Sequence, residues 1–218
     1  TRIHTLRATG VGQFGETLAH LGDVNRDGYS DLVVGTFEGN RASVFLGGGT
    51  GLAATPTVLG GGDALERFGS GVAGVGDVNG DGFDDLAVAA RSADGGPPLA
   101  RVFLGGAGGI ATDAAATLTT QGLTSLDVTV SAAGDVNGDG FADVALGVHG
   151  ATGNAGVVHV FYGGAAGLAE TPAATLVGAD PVGYFGLRVA PAGDVNGDGY
   201  ADLVVGAPAA TDGAGKVV

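Results

Sequence analysis

The sequence predicts an all-β protein, a β-propeller of four-stranded antiparallel blades with four repeats in the chain. Three observations predict it. An acidic string, Asp-Val-Asn-x-Asp-Gly-aromatic-x-Asp, returns four times, starting at Asp23, Asp77, Asp135 and Asp194 with offsets of 54, 58 and 59 residues. Short apolar runs sit at matching places around every copy, and no window keeps a helical period.

Each element follows in order. Ahead of the loops lie Phe14-Gly15, Phe68-Gly69 and Phe185-Gly186, each leading into a first strand. After each loop comes an apolar run: Leu32-Val33-Val34, Leu86-Ala87-Val88, Val144-Ala145-Leu146 and Leu203-Val204-Val205. These runs lack polar alternation, so they read as strands buried on both faces. Third strands are expected at Val44-Phe45-Leu46, Val102-Phe103-Leu104 and Val160-Phe161-Tyr162. Each of these enters a Gly-Gly-x-x-Gly turn, Gly47 to Leu52, Gly105 to Ile110 and Gly163 to Leu168. A fourth strand centres on Leu59, Leu118 or Leu176, with Leu6 as its N-terminal counterpart. The runs are β-branched or aromatic and bounded by Gly and Asp, as strands are. Four strands per unit with a buried inner strand is what a propeller blade requires; a packed array of separate hairpins is the alternative.

The implied boundaries are residues 9–62, 63–122, 123–180 and 181–218 for blades 1 to 4, the last incomplete at Lys216-Val217-Val218. Residues 1–8 align with an outermost strand. They are expected either to complete the last blade and close a ring or to complete a missing preceding blade. A stop inside a strand leaves unpaired backbone, which favours a piece of a longer chain.

The 46 glycines, with many Ala and Val and no Cys, Met or Trp, suit thin stacked layers better than one thick core. Without Cys there is neither a disulfide framework nor thiolate chemistry. The net charge of −14 repels phosphate backbones and anionic lipid surfaces, so neither nucleic acid nor a membrane is an expected partner. No apolar stretch approaches the roughly 18 residues that cross a bilayer. Of the 23 acids, twelve are the Asp at the first, fifth and ninth positions of the four loops, which points to divalent cations.

Numbered from its first Asp, each loop offers side-chain oxygens at positions 1, 3, 5 and 9 and a backbone carbonyl at 7. The candidate ligands are Asp23, Asn25, Asp27, Tyr29 and Asp31; Asp77, Asn79, Asp81, Phe83 and Asp85; Asp135, Asn137, Asp139, Phe141 and Asp143; and Asp194, Asn196, Asp198, Tyr200 and Asp202. Hard oxygens at alternate positions wrap one cation of calcium size, as the first half of an EF-hand loop does; magnesium demands stricter octahedral geometry. Position 6 is Gly in every copy, where the turn is sharp. An EF-hand proper is excluded, because position 12 holds Val34, Val88, Leu146 or Val205 instead of Glu, and strands flank the loops. About four Ca2+ are expected, bringing the formal charge from −14 to −6. With a dissociation constant of ~0.1 mM in ~1 mM calcium, each site stabilises by roughly 1.4 kcal/mol, which suits an extracellular setting. Arg26, where the other loops have Gly, is expected to weaken the first site slightly.

Phe-Gly, the acidic loop and Gly206-Ala207-Pro208 resemble the FG-GAP repeats of the integrin α-subunit propeller, over essentially the whole chain. The resemblance implies a propeller, usually of seven blades, with calcium in blade hairpins on the face away from the ligand. The third repeat departs, with Leu126-Asp127 in place of Phe-Gly, and only the fourth has a full Gly-Ala-Pro.

Other signals weigh less. Gly10 to Gly15 matches a dinucleotide fingerprint, but no helix follows. His149 and His159 could face each other across a hairpin, although paired strand positions are the simpler reading. No Ser or Thr is accompanied by a base and an acid, so no catalytic residue is assigned and an enzyme is not expected. The function expected is a calcium-binding module for extracellular adhesion or protein recognition. A calcium-dependent lectin and an accessory domain of a larger secreted enzyme are the alternatives, and self-association to complete the ring is a further partner reading.

Overall fold

Every acidic loop separates the first two strands of a sheet that runs up and down in sequence order. The structure, a computed structural model, describes residues 5–6, 12–61, 67–91, 97–123, 125, 128–210 and 215–217. Blade 1 is β1 (Thr17–Gly22), β2 (Asp31–Thr36), β3 (Arg41–Phe45) and β4 (Thr57–Gly60). Blade 2 is β5 (Gly71–Gly76), β6 (Asp85–Ala90), β7 (Leu99–Phe103) and β8 (Ala116–Thr119). Blade 3 is β9 (Thr129–Gly134), β10 (Asp143–Val148), β11 (Val157–Phe161) and β12 (Ala174–Val177). Blade 4 is β13 (Arg188–Gly193), β14 (Asp202–Ala207) and β15 (Lys216–Val217). All pairings are antiparallel between sequence neighbours, giving four-stranded sheets in blades 1 to 3 and three strands in blade 4 among the described residues. The architecture is the propeller-type blade array that the repeat predicts.

The core is a series of layers between blades. Leu86 and Val88 of β6 pack with Val33, Val44 and Leu59 of blade 1. Ala87 and Ala89 of the same strand pack with Val130, Val144 and Leu146 of blade 3. Ala145 and Val158 of blade 3 then meet Phe185, Val189 and Val205 of blade 4. A strand that alternates between two apolar neighbours needs no polar face, which is why the runs after the loops read as continuously apolar. β6 and β10 are buried throughout. The exception is β14, where Leu203 is half-buried and Val204 exposed, because no described segment covers that side.

Phe-Gly marks the junction between blades. Gly69 and Gly186 stand at φ +93° and +86°, where an L side chain is strained. A Cβ on Gly35 would lie 2.4 Å from the Gly69 carbonyl oxygen, and one on Gly147 would lie 2.3 Å from that of Gly186. The glycine of the second strand therefore lets the next blade's Phe-Gly approach backbone to backbone. Thr17 Oγ1 donates to the Gly69 carbonyl (2.9 Å) and Thr129 Oγ1 to that of Leu187 (3.1 Å) across the same junctions. Blade 2 carries Ala89 at this position, and the following repeat is the one with Leu126-Asp127 in place of Phe-Gly. The two departures fall in consecutive repeats of the sequence.

The proposed closing strand at residues 1–8 lies largely outside the described residues; Thr5 and Leu6, which are described, carry no strand. Leu126 and Asp127, and most of the Gly10–Gly15 fingerprint's first half, also lie outside them. His149 and His159 do not face each other, in line with the simpler reading of paired strand positions for His159. His159 stands opposite Leu146 and Thr175, with Nδ1 2.9 Å from Thr175 Oγ1, whereas His149 lies beyond the end of β10, its ring 6.2 Å from that of Tyr184.

Candidate metal centres in the blade loops

The four loops share one hydrogen-bond pattern. In loop 1, Asp23 Oδ1 accepts the Asp27 N–H (3.1 Å) and Oδ2 the Gly28 N–H (2.8 Å). Asn25 Oδ1 accepts the Asp27 N–H (3.2 Å), its Nδ2 donates to Asp27 Oδ2 (3.0 Å), and Asp27 Oδ1 accepts the Tyr29 N–H (3.0 Å). The same bonds recur at Asp77, Asn79 and Asp81. They recur again at Asp135, Asn137 and Asp139 and at Asp194, Asn196 and Asp198. Short Asx side chains capping nearby N–H groups stabilise such a turn locally. Position 6 takes φ +87° to +91°, as Gly28, Gly82, Gly140 and Gly199 allow. The oxygens of positions 1, 3 and 5 thus gather on one turn.

Position 9 has another job, which spacing did not reveal. Asp85 Oδ2 accepts the Val78 N–H (2.9 Å) and Oδ1 the Gly105 N–H (2.8 Å). Asp31 does the same with Val24 and Gly47 (2.9 and 2.7 Å), and Asp143 with Val136 and Gly163 (both 2.9 Å). In blades 1 to 3 the ninth Asp is therefore a buried staple from the loop's second residue to the Gly-Gly turn after the third strand. A Cβ on Gly105 would meet the Asp84 carbonyl at 2.3 Å, and one on Gly163 the Ala142 carbonyl at the same distance. That close approach requires the turn's first glycine. In blade 4, Asp202 accepts the Val195 N–H (2.9 Å), and the chain as given holds no counterpart of the turn glycine.

Burial pushes the Asp85 carboxyl up to about 7, against the N–H groups of Gly105 and Val78 that hold it down. Asp31 and Asp143 are raised by burial against the same kind of donors. Asp194, on the uncovered blade, is lowered by the N–H of Gly199 first, with help from Gly197, Asp198 and Asn196.

Adjacent loops are joined. The Ala142 N–H donates to the Asp77 carbonyl (3.0 Å) and that of Ala201 to the Asp135 carbonyl (2.8 Å). Gly106 donates to the Val24 carbonyl and Gly164 to that of Val78, both at 2.9 Å. Between blades 1 and 2 a side chain joins in, with Asp84 Oδ2 accepting the Asp23 N–H (2.8 Å). Phe141 lies over Gly80 and Tyr200 over Gly138. At the first junction Arg26 takes that place in a left-handed conformation (φ +56°), its guanidinium 5.6 Å from the Phe83 ring centre. The cation sits over the aromatic face, so Arg26 serves the junction, whatever its charge does to the loop.

The donor set, all hard oxygen on a tight turn, fits a calcium-sized cation at positions 1, 3 and 5. Among the described residues, no group of three or more His, Cys, Asp or Glu side chains stands together as a metal centre. The physical reason is that each turn brings together two acids and one Asn, while the third acid is held behind it by backbone N–H groups. Each carboxylate oxygen of that third acid keeps a second lone pair.

The FG-GAP repeat model matches residues 68–111, 128–161 and 185–218, and an FG-GAP-like repeat model matches 23–88, so all four loops are reached. Integrin alpha-5 of Xenopus laevis is 30% identical over 210 residues, 89% of this chain and 20% of its own length. Human integrin alpha-IIb is 33% identical over 170 residues (69% of this chain, 16% of the relative), and integrin alpha-PS5 of Drosophila melanogaster 38% over 104 (43% and 10%). The chain spans a fifth or less of the length of these relatives. By its repeats and by the sheets they build, the chain belongs to the FG-GAP repeat family, with integrin α subunits among its homologues.

Proposed function

We propose that this chain is a non-catalytic, calcium-binding propeller module for extracellular adhesion or protein recognition, in which calcium is structural. One observation carries the reading: the same acid–amide–acid turn is built four times at the same place between first and second strands. Three negative charges per loop repel one another unless a cation offsets them, and a bound ion would tie β1 to β2 and their counterparts in each blade. Asp, Asn and Asp at positions 1, 3 and 5 would hold it with the carbonyl at position 7, and the ninth Asp would complete the set through its free lone pairs. Among the described residues, no helix is long and apolar enough to cross a membrane.

The test is thermal unfolding with calcium and with a chelator. Asp139→Ala should abolish part of the calcium-dependent rise in melting temperature, while the chelated protein loses only the two hydrogen bonds that Asp139 makes within the turn. An equal loss in both conditions would contradict ligation at Asp139. Ligand recognition is tested separately, by screening immobilised extracellular proteins and glycans in calcium; binding to glycans alone would replace this reading with a lectin.

A further inference from the structure

Around its ninth Asp, each of loops 2 and 3 grips the loop before it. Asp143 accepts the Gly163 N–H (2.9 Å), and the next residue of that turn, Gly164, donates to the Val78 carbonyl of loop 2 (2.9 Å). On the other side of Asp143, Ala142 donates to the Asp77 carbonyl of loop 2 (3.0 Å). Asp77 and Val78 are positions 1 and 2 of that loop, and the Val78 N–H goes in turn to Asp85, its ninth Asp (2.9 Å).

The series continues into blade 1. Asp85 accepts the Gly105 N–H (2.8 Å), and Gly106 donates to the Val24 carbonyl of loop 1 (2.9 Å). Beside it, Asp84 accepts the Asp23 N–H (2.8 Å), and the Val24 N–H goes to Asp31 (2.9 Å). Hydrogen bonds of 3.0 Å or less thus join three loops without a break. Val24, Asp31, Val78, Asp85 and Asp143 are at most 2% exposed, so water is poorly placed to take over these bonds.

We propose that the calcium sites of neighbouring blades are positively coupled: filling loop 3 raises the affinity of loop 2, and filling loop 2 that of loop 1, through the ninth Asp and its turn glycines. The proposal rests on the calcium reading given above. Three carboxylates on one loop repel one another, and a cation that offsets them holds the ninth Asp in place. Held with it are the two N–H groups that fix positions 1 and 2 of the preceding loop. Those positions are its first ligand and the residue whose N–H orients its own ninth Asp. A loop fixed in this way has less backbone freedom left to lose on taking an ion. At equilibrium the coupling is reciprocal.

Charge alone gives the opposite sign. A filled loop 3 carries −3 + 2 = −1, whereas Asp139→Ala without its ion carries −2. The more negative neighbour attracts a cation to loop 2 more strongly, so electrostatics tightens that site when loop 3 is emptied. Loss of the hydrogen-bond series loosens it. The direction of the change therefore separates the two.

The experiment is a calcium titration of the 218-residue chain followed by 1H–15N spectra. The N–H groups of Gly28, Gly82 and Gly140 each donate to the first Asp of their own loop, so each reports its own site. Asp139→Ala should remove the Gly140 response and weaken calcium binding at Gly82 by roughly fivefold. Gly164→Pro keeps every loop 3 ligand but lacks the N–H that reaches Val78; it should reproduce part of that loss and reduce the further effect of Asp139→Ala. Gly164→Ala keeps the N–H, lies outside the left-handed region and places its Cβ 3.9 Å from the nearest atom, so it should bind as the wild type does. Unchanged or tighter binding at Gly82 in Asp139→Ala would overturn the coupling while the calcium reading stands. Equal binding by Gly164→Pro and Gly164→Ala would overturn the hydrogen-bond route. No calcium response at any of the three glycines would overturn the coupling and the calcium reading together.

Discussion

Loops 2 and 4 have the same bonds and different surroundings. In loop 2 the Gly82 N–H reaches Asp77 Oδ2 at 2.6 Å, and in loop 4 the Gly199 N–H reaches Asp194 Oδ2 at 2.9 Å; the Asn–Asp contacts are 2.9 and 3.0 Å. Yet Val78 and Asp85 are fully buried, while Val195 is exposed and Asp202 half-exposed. The turn is thus a local structure written by Asx and Gly, whereas Val78 is buried by the neighbouring blade and Asp85 is enclosed with the Gly105 turn of its own blade. The pattern of donors stays constant while the electrostatics change.

The largest test of that contrast exchanges apolar for acidic at position 2. Val78→Glu should cost about 3–5 kcal/mol by burying an unpaired charge. Val195→Glu should stay within about 0.5 kcal/mol in a dilute sample, as surface changes do. Chemical denaturation reads both, and comparable losses would erase the distinction between the loops.

Next comes the staple. Asp85→Ala strands two buried N–H groups and should cost about 2–4 kcal/mol in chelator at pH 8, against about 1 kcal/mol for Asp202→Ala. A blade 4 loss as large as that in blade 2 would mean that the second donor is immaterial.

The pH profile sharpens the comparison further. Asp85 is raised from its ordinary 3.8 to about 7 in the folded chain, so between those values the folded state holds the extra proton. Metal-free stability therefore falls as pH rises through that window, by at most about 1.4 kcal/mol per unit for one group. Asp31 and Asp143 are shifted in the same direction. Asp194 is lowered, so its contribution is present above 3.8 and is lost as pH falls below it. Asp85→Asn should flatten the slope between pH 4 and 7, measured by urea unfolding in chelator; an unchanged slope would place the titration elsewhere.

The smallest effect is at position 4. Gly197→Ala meets only the left-handed backbone and should cost about 1 kcal/mol. Gly80→Ala must also displace the Phe141 ring, 2.5 Å from the new Cβ, and should cost more. Melting temperatures of the pair compare the two directly.

Much of this was legible in the residues themselves. Strand positions, the turn geometry of Asp77 to Asp81 and the need for Gly at position 6 depend on contacts within nine residues, and the fourfold repeat makes them unmistakable. What spacing could not show is that Asp85 turns its oxygens to Val78 and Gly105, because Gly105 is twenty residues away and is brought there by the third strand. Nor could it show why Arg26 tolerates a left-handed place, since the Phe83 ring that receives it belongs to another blade. The blades and the loop turns are legible in the residues because they rest on short-range hydrogen bonding and on short, continuously apolar runs. Which loop carboxylates are buried depends on contacts made far along the chain. Burial is a property of what stacks against a blade, and Val78 and Val195 are the same residue in the same motif until the next sheet covers one of them.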